Sequence, residues 1–144
     1  MKKISSQKGF TLIEIMVVVV IIGILAALIV PNIMGRTDQA KVTATRTQIE
    51  ALGQSLDMYR LDNHVYPSTE QGLKALIEKP AGNPEPKNWA EGGYLKKKKI
   101  PMDGWDHEFI YVSPGTHGGY DLYSYGADGK EGGEGLDADI KSWE

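Results

Sequence analysis

The chain has 144 residues, a net charge of −3 and no cysteine. The weak negative charge argues against a nucleic-acid-binding protein, because phosphate contacts require a basic face. Without cysteine, thiol catalysis and disulfide bonds are both excluded. A small domain outside the cytoplasm would then need another support, such as a bound metal ion or assembly with copies of itself.

The sequence begins with a short basic leader, residues 1–9, which carries Lys2, Lys3 and Lys8. An apolar run follows from Phe10 to Val30. About 20 apolar residues suffice to cross a membrane as a helix, and lysines beside such a helix stay on the cytoplasmic side. We therefore predict one membrane span over residues 10–31 and a globular domain over residues 32–144 on the opposite side.

Two features of this segment are unusual for a simple anchor. Glu14 places a charge inside the apolar run, at a cost of about 2.5–3.5 kcal/mol on insertion scales. Gly9 precedes the run, whereas a secretory signal peptide carries its small-residue cleavage site after it. Cleavage at Gly9 would remove the lysines, keep the apolar segment, and leave a cationic amine on Phe10 one helical turn from Glu14.

The stretch from Gly9 to Glu14, GFTLIE, followed by an apolar helix, resembles the signature of type IV pilins and pseudopilins. The resemblance implies cleavage by a prepilin peptidase between Gly9 and Phe10, followed by methylation of Phe10. It also implies that Glu14 pairs with the Phe10 amine of a neighbouring subunit during filament assembly.

A second, amphipathic helix half is predicted over residues 37–62. We expect Pro31 to kink or open the helix, because proline lacks a backbone donor and its ring clashes with the preceding turn. Beyond it, apolar residues recur at spacings of seven, three, four and three, which predicts a buried stripe. Gly53 suggests close packing. The stripe consists of Val42, Ile49, Leu52, Leu56 and Tyr59.

For residues 68–99 we predict little regular secondary structure. Ser68 and Gln71 have the spacing of a capping box and predict a second, short helix that ends at Pro80. Residues 81–93 are rich in proline, glycine and polar residues, so we predict a loop that Trp89 and Tyr94 anchor to the domain. The run Lys96–Lys99 is interpreted as an exposed surface suited to contact with an acidic partner, such as another subunit.

Two strands are predicted at residues 108–112 and 120–124, which are rich in aromatic and β-branched side chains, with residues 113–119 as a hairpin loop. Because a hairpin alone is marginally stable, it should lie on the helix, with a third short strand near residues 94–95. The predicted fold class is α+β, a long N-terminal helix packed on a small antiparallel sheet.

The acidic, glycine-rich segment 126–139 has two interpretations. Its composition favours a flexible solvated loop. Ile140 and Trp143 follow it, however, and would dock the end of the chain. A loop held at both ends, with converging carboxylates and exposed carbonyls, suits a hard cation such as calcium.

A wider resemblance extends over nearly the whole chain. The similarity is to the major pseudopilins of type II secretion systems, and it covers residues 56–63, 66–73, 113–115, 117–118, 126–129, 138–140 and Trp143. The sequence departs from that family at residues 103–106, DGWD in place of the common DPWG, and at Tyr125, where leucine is usual.

That resemblance implies a type IV pilin-like fold whose C-terminal loop binds calcium in place of the pilin disulfide. Asp128 would be a side-chain ligand, and either Asp137 or Asp139 the second. Backbone carbonyls near Tyr125 and Lys130 would complete the coordination shell.

The function implied is a structural subunit that polymerises head to tail and promotes export of folded proteins across the outer membrane. It would reside in the bacterial inner membrane and then in a periplasmic filament, with prepilin peptidase, minor pseudopilins and an inner-membrane secretion platform as partners. The alternatives are a type IV pilin, or a membrane-anchored periplasmic binding domain or enzyme. His64, His107 and His117 lie in no metal-ligand spacing, so we expect no catalysis.

Overall fold

The computed structural model describes residues 9–144, without the side chains of residues 30–34; the predicted leader lies outside the described residues up to Lys8. Helix α1 (Leu12–Asn63) has 52 residues and continues without interruption through Pro31, where we expected an opening. The chain divides into two compact units after Thr37, so the predicted membrane half of α1 belongs to one unit and the amphipathic half to the other.

The amphipathic half of α1 supplies the core of the unit Asp38–Glu144. Four residues of the predicted stripe are almost completely buried, and Val42 packs against them. The tight packing expected at Gly53 is present, because an added Cβ would lie 2.8 Å from the Tyr120 hydroxyl. The four buried residues are Ile49, Leu52, Leu56 and Tyr59. The 3.6-residue period therefore identified the buried face correctly.

The sheet contains β1 (Ile110–Val112), β2 (Asp121–Ser124) and β3 (Ile140–Lys141), in the order β1-β2-β3 with antiparallel pairing. The two predicted strands are confirmed with shorter bounds. The prediction of a third strand at residues 94–95 was wrong. Tyr94 instead packs its buried ring on Tyr59, with 5.3 Å between ring centroids, and its N–H donates to the Leu76 carbonyl at 2.7 Å.

The region after α1 forms a tight turn instead of the predicted second helix. The capping box is present: the Ser68 N–H donates to the Gln71 side chain at 3.0 Å, and the Gln71 N–H donates to the Ser68 hydroxyl at 3.2 Å. Gly72 then takes a φ of 58°, which ends the turn, and only a short 3-10 helix follows, Leu73–Leu76. The predicted anchor Trp89 docks here, its indole N–H donating to the Ala75 carbonyl at 2.8 Å.

Candidate functional site

The apolar side chains in the first half of α1, as far as Ile29, are exposed. Every large apolar side chain from Phe10 to Ile29 has at least 50% of its surface exposed. By length and composition, Leu12–Ile29 is the one candidate membrane span within the described residues. Such a surface requires either lipid or other protein to cover it, since exposed apolar area on this scale marks an interaction site.

Glu14, the one charged residue of this segment, caps the start of α1. Its Oε2 accepts hydrogen bonds from the Thr11 backbone N–H at 2.7 Å and from the Thr11 hydroxyl at 2.9 Å. In return, the Glu14 N–H donates to Thr11 Oγ1 at 3.3 Å. This is a reciprocal capping box. It holds the carboxylate in the first turn of the helix, four residues after Phe10, and leaves it exposed.

The C-terminal acidic loop, residues 126–139, closes on itself. The Ala127 N–H donates to the Leu136 carbonyl at 2.9 Å. At Gly126, with a φ of 67°, an added Cβ would lie 2.7 Å from the Ala138 carbonyl oxygen. Gly133 approaches the Asp137 carbonyl oxygen more closely still. At both glycines the backbone therefore lies against the carbonyl groups of residues 136–138, closer than a residue with a Cβ could lie.

The three candidate carboxylates of the acidic loop are placed differently. Asp128 Oδ1 accepts the Lys130 N–H at 3.0 Å, and Asp139 Oδ1 accepts the Gly132 N–H at 3.1 Å. Asp137 is exposed and terminates the 3-10 turn Gly135–Asp137. Tyr125 is half-buried and packs on Tyr123.

Within residues 9–144, no three acidic or histidine side chains converge as a metal cluster. The donors present are instead carboxylate and backbone carbonyl oxygens. A mixed oxygen set of that kind is what calcium accepts, so the residues are compatible with this ion. The predicted ligands, and the choice between Asp137 and Asp139, stay predictions.

A buried carboxylate beside the loop escaped the sequence analysis. Asp103 is 4% exposed; its Oδ1 accepts the N–H groups of Trp105 and His107, both at 2.9 Å, and its Oδ2 accepts the Ser124 hydroxyl at 2.6 Å. The pattern DGWD was noted only as a departure from the family. An aspartate often accepts a hydrogen bond from the backbone N–H two residues later, which forms an Asx-turn, so Asp103 followed by Gly104 and Trp105 was the available signal.

Asp121, in the hairpin, is a second buried carboxylate that the sequence analysis did not identify. Its carboxylate accepts bonds from the Thr116 and His117 N–H groups, the Thr116 hydroxyl and the His117 ring. Burial alone would raise the pKa of Asp121, but these hydrogen bonds outweigh burial and lower the pKa to about 2. The Trp143 ring stacks on the His117 ring with 4.1 Å between centroids, which docks the chain terminus as predicted.

Comparisons with known proteins match both halves of the chain. The family described as type II secretion system (T2SS), protein G matches residues 32–143, and the prokaryotic N-terminal methylation motif matches residues 4–30. A type II secretion system core protein G of Pseudomonas aeruginosa is 63% identical over 138 residues, covering 96% of each chain. Another, of Vibrio cholerae, is 54% identical over 143 residues, covering 99% of this chain and 96% of that protein.

A solved structure is also similar. The crystal structure of the major pseudopilin from the type 2 secretion system of enterohaemorrhagic Escherichia coli has a TM-score of 0.67 and 42% sequence identity. The match covers 78% of this chain and 95% of that one. The expected fold, a long helix with a small antiparallel sheet, is therefore confirmed.

The low pKa of Asp121 predicts a pH-dependent contribution to stability. The carboxyl group titrates near 3.9 when unfolded and at about 2 when folded. Its stabilising effect is therefore complete above the unfolded value and is lost as the pH falls toward 2. We expect Asp121→Asn to lower the melting temperature at pH 6, and the deficit relative to the unaltered chain to shrink between pH 5 and 2. Thermal melts at each pH measure this deficit, with the exposed Asp106→Asn as control; a pH-independent deficit would refute the assignment.

Proposed function

This chain belongs to the type II secretion system protein G family and is a structural subunit of the pseudopilus; we propose that it polymerises head to tail after its leader is removed at Gly9. The observation that carries this proposal is the uncovered apolar face of α1 with a single carboxylate at its start. A head-to-tail, heterologous contact generates an open filament. In such a filament the apolar surface exchanges lipid for neighbouring copies.

The proposed role of Glu14 follows from its position at the N-terminus of α1. Cleavage between Gly9 and Phe10 would create an amine beside the Thr11–Glu14 capping box. In the subunit alone, the carboxylate is satisfied by Thr11. In the filament, we propose that it pairs with the Phe10 amine of a neighbouring subunit. In an apolar interior a lost partner is costly, because it leaves a buried charge unpaired, so the pair would favour one register between subunits.

The chain is consistent with a membrane-anchored protein that carries a periplasmic domain and assembles into a filament with other secretion components. We propose the finer placement: the bacterial inner membrane first and a periplasmic filament afterwards. Prepilin peptidase, minor pseudopilins and an inner-membrane platform would be its partners. The exposed run Lys96–Lys99 would contact an acidic surface in that assembly. Promotion of export across the outer membrane is the proposed outcome.

An enzymatic function finds no support in the described part of the chain. Relatives are structural pseudopilins. Asp103, His107 and Ser124 are the residue types of a catalytic triad, but Ser124 donates to Asp103 instead of to histidine and is completely buried. A nucleophile must lie within reach of its base and of substrate. The alternative of an adhesion or motility pilin is disfavoured by the match to protein G.

We also propose that the acidic loop holds one calcium ion. Asp128 and either Asp137 or Asp139 would supply side-chain oxygens, and carbonyls near Tyr125 and Lys130 would supply the rest. When bound, the ion would neutralise the like charges of the loop. The support is the oxygen-only donor set and the close approach of Gly126 and Gly133 to the carbonyls of residues 136–138. In a chain without cysteine, this ion would take the structural role of a disulfide.

The pairing proposal predicts that the charge of Glu14, and not its capping role, is required for assembly. Glu14→Gln keeps an acceptor for Thr11 but removes the charge, whereas Glu14→Ala removes both. We expect both variants to insert into the membrane and neither to form filaments, as measured by shearing and immunoblotting of a secreting host. Glu50→Ala, at an exposed position on the same helix, should assemble. Normal filaments from Glu14→Gln would disprove the pairing.

The calcium proposal predicts a stability that depends on this ion. With calcium at 100 times its Kd, binding to the folded state alone adds about 2.7 kcal/mol. A chelator should lower the melting temperature of the detergent-solubilised chain, and added calcium, but not magnesium, should restore it. Asp128→Asn should abolish the response and Asp106→Asn should keep it. A melt that is insensitive to the chelator would remove the site.

A further inference from the structure

The buried carboxylate of Asp103 lies at the entrance to the acidic loop, and it is bonded to structure on both sides. Asp103 Oδ1 accepts hydrogen bonds from the Trp105 and His107 N–H groups, and these bonds stabilise the turn that contains Asp103. The same turn is joined to α1, because the Gly104 N–H donates to Thr45 Oγ1 at 2.8 Å, and Thr45 is completely buried. Asp103 is therefore connected to the rigid core of its unit.

One side of the loop entrance is held through a two-bond relay. The Ser124 hydroxyl donates to Asp103 Oδ2 at 2.6 Å, and Ser124 Oγ accepts the Gly126 N–H at 3.1 Å. A carboxylate oxygen can only accept and a backbone N–H can only donate, so the Ser124 hydroxyl donates to Asp103 and accepts from Gly126. The acceptor at Asp103 Oδ2 therefore orients the hydroxyl that holds Gly126.

The other side of the same residue is held by His107. Its Nδ1 lies 3.2 Å from the Gly126 carbonyl oxygen and 3.5 Å from Asp103 Oδ2. Gly129 lies over the His107 ring, where an added Cβ would be 3.4 Å from Cε1. Both polar groups of Gly126 thus contact side chains that Asp103 organises. Tyr125 and Asp128, two of the proposed ligands, lie one residue before and two residues after Gly126.

We propose that Asp103 is a positioning residue for the cation-binding loop, acting through Ser124 and His107. This inference rests on the proposed calcium site. Hydrogen-bond partners outside the ligand shell of a metal fix the orientation of the ligands, and their loss typically lowers metal affinity about 10- to 100-fold. Through its contacts with Ser124 and His107, Asp103 would hold Gly126, and with it the backbone between Tyr125 and Asp128, in the conformation that binds the ion.

Calcium titration of the full-length chain in detergent, in competition with a chelating dye, tests this inference. Asp103→Asn keeps the volume and the Oδ1 acceptor, but an NH2 group replaces Oδ2 and cannot accept the hydrogen bond from the Ser124 hydroxyl. We expect its calcium Kd to rise at least tenfold. Asp106→Asn is the matched control; Asp106 is exposed with a φ of 64°, which asparagine tolerates, and should leave the Kd unchanged.

A merely structural role for Asp103 would give a different result. The melting temperature of Asp103→Asn would then fall equally with and without calcium, and its Kd would match that of the unaltered chain; this result would overturn the inference. If Asp103→Asn does not fold, Ser124→Ala decides, because it removes the relay alone: an unchanged Kd would refute the relay, and a raised Kd supports it. If the unaltered chain binds no calcium, the calcium proposal and this inference both fail. If the unaltered chain binds calcium and the Asp103→Asn variant binds it equally well, only this inference fails.

Discussion

The apolar face of α1 is the constraint on which the rest of this molecule depends. From Phe10 to Ile29 the large side chains are at least half exposed. At about 25 cal/mol per Å² of apolar surface, exposure of such a helix to water is prohibitive. Lipid in the membrane and neighbouring copies in a filament are two solutions of the same problem.

The globular unit meets the opposite requirement, since it must stay folded in water with no disulfide and a small core. Part of its support is apolar, where α1 buries Leu52, Leu56 and Tyr59 against the sheet. The rest is polar and lies toward the C-terminus, where Asp103 and Asp121 gather seven hydrogen bonds between them. These carboxylates accept hydrogen bonds from backbone N–H groups that lie outside helices and strands. The proposed calcium ion would stabilise the backbone of the acidic loop in a similar way, by binding its carbonyl groups.

Local patterns in the sequence predicted local features well. The stripe on α1 and the Ser68–Gln71 capping box depend on neighbours three or four residues apart, so both could be predicted. The third strand was placed wrongly at residues 94–95, because strand pairing depends on distant partners; β3 at Ile140–Lys141 adds to the free edge of β2. The predicted helix from Ser68 to Pro80 was too long, because Gly72, with a φ of 58°, ends the first turn and only the 3-10 helix Leu73–Leu76 follows. Asp103 and Asp121 were missed because no local pattern shows that a carboxylate will be buried. Most of their hydrogen-bond partners lie within five residues, and only Ser124 is brought to Asp103 from a distant segment.

The proposed removal of the leader at Gly9 would link the two units in function, because it would convert a membrane anchor into a filament subunit with a cationic terminus near Glu14. Intact-mass spectrometry of the chain, extracted from the membranes of a host that contains a prepilin peptidase, tests this claim most directly. The account predicts a chain that begins at Phe10 and carries one methyl group on its terminal amine. A chain that retains Met1 to Gly9 in that host would contradict it.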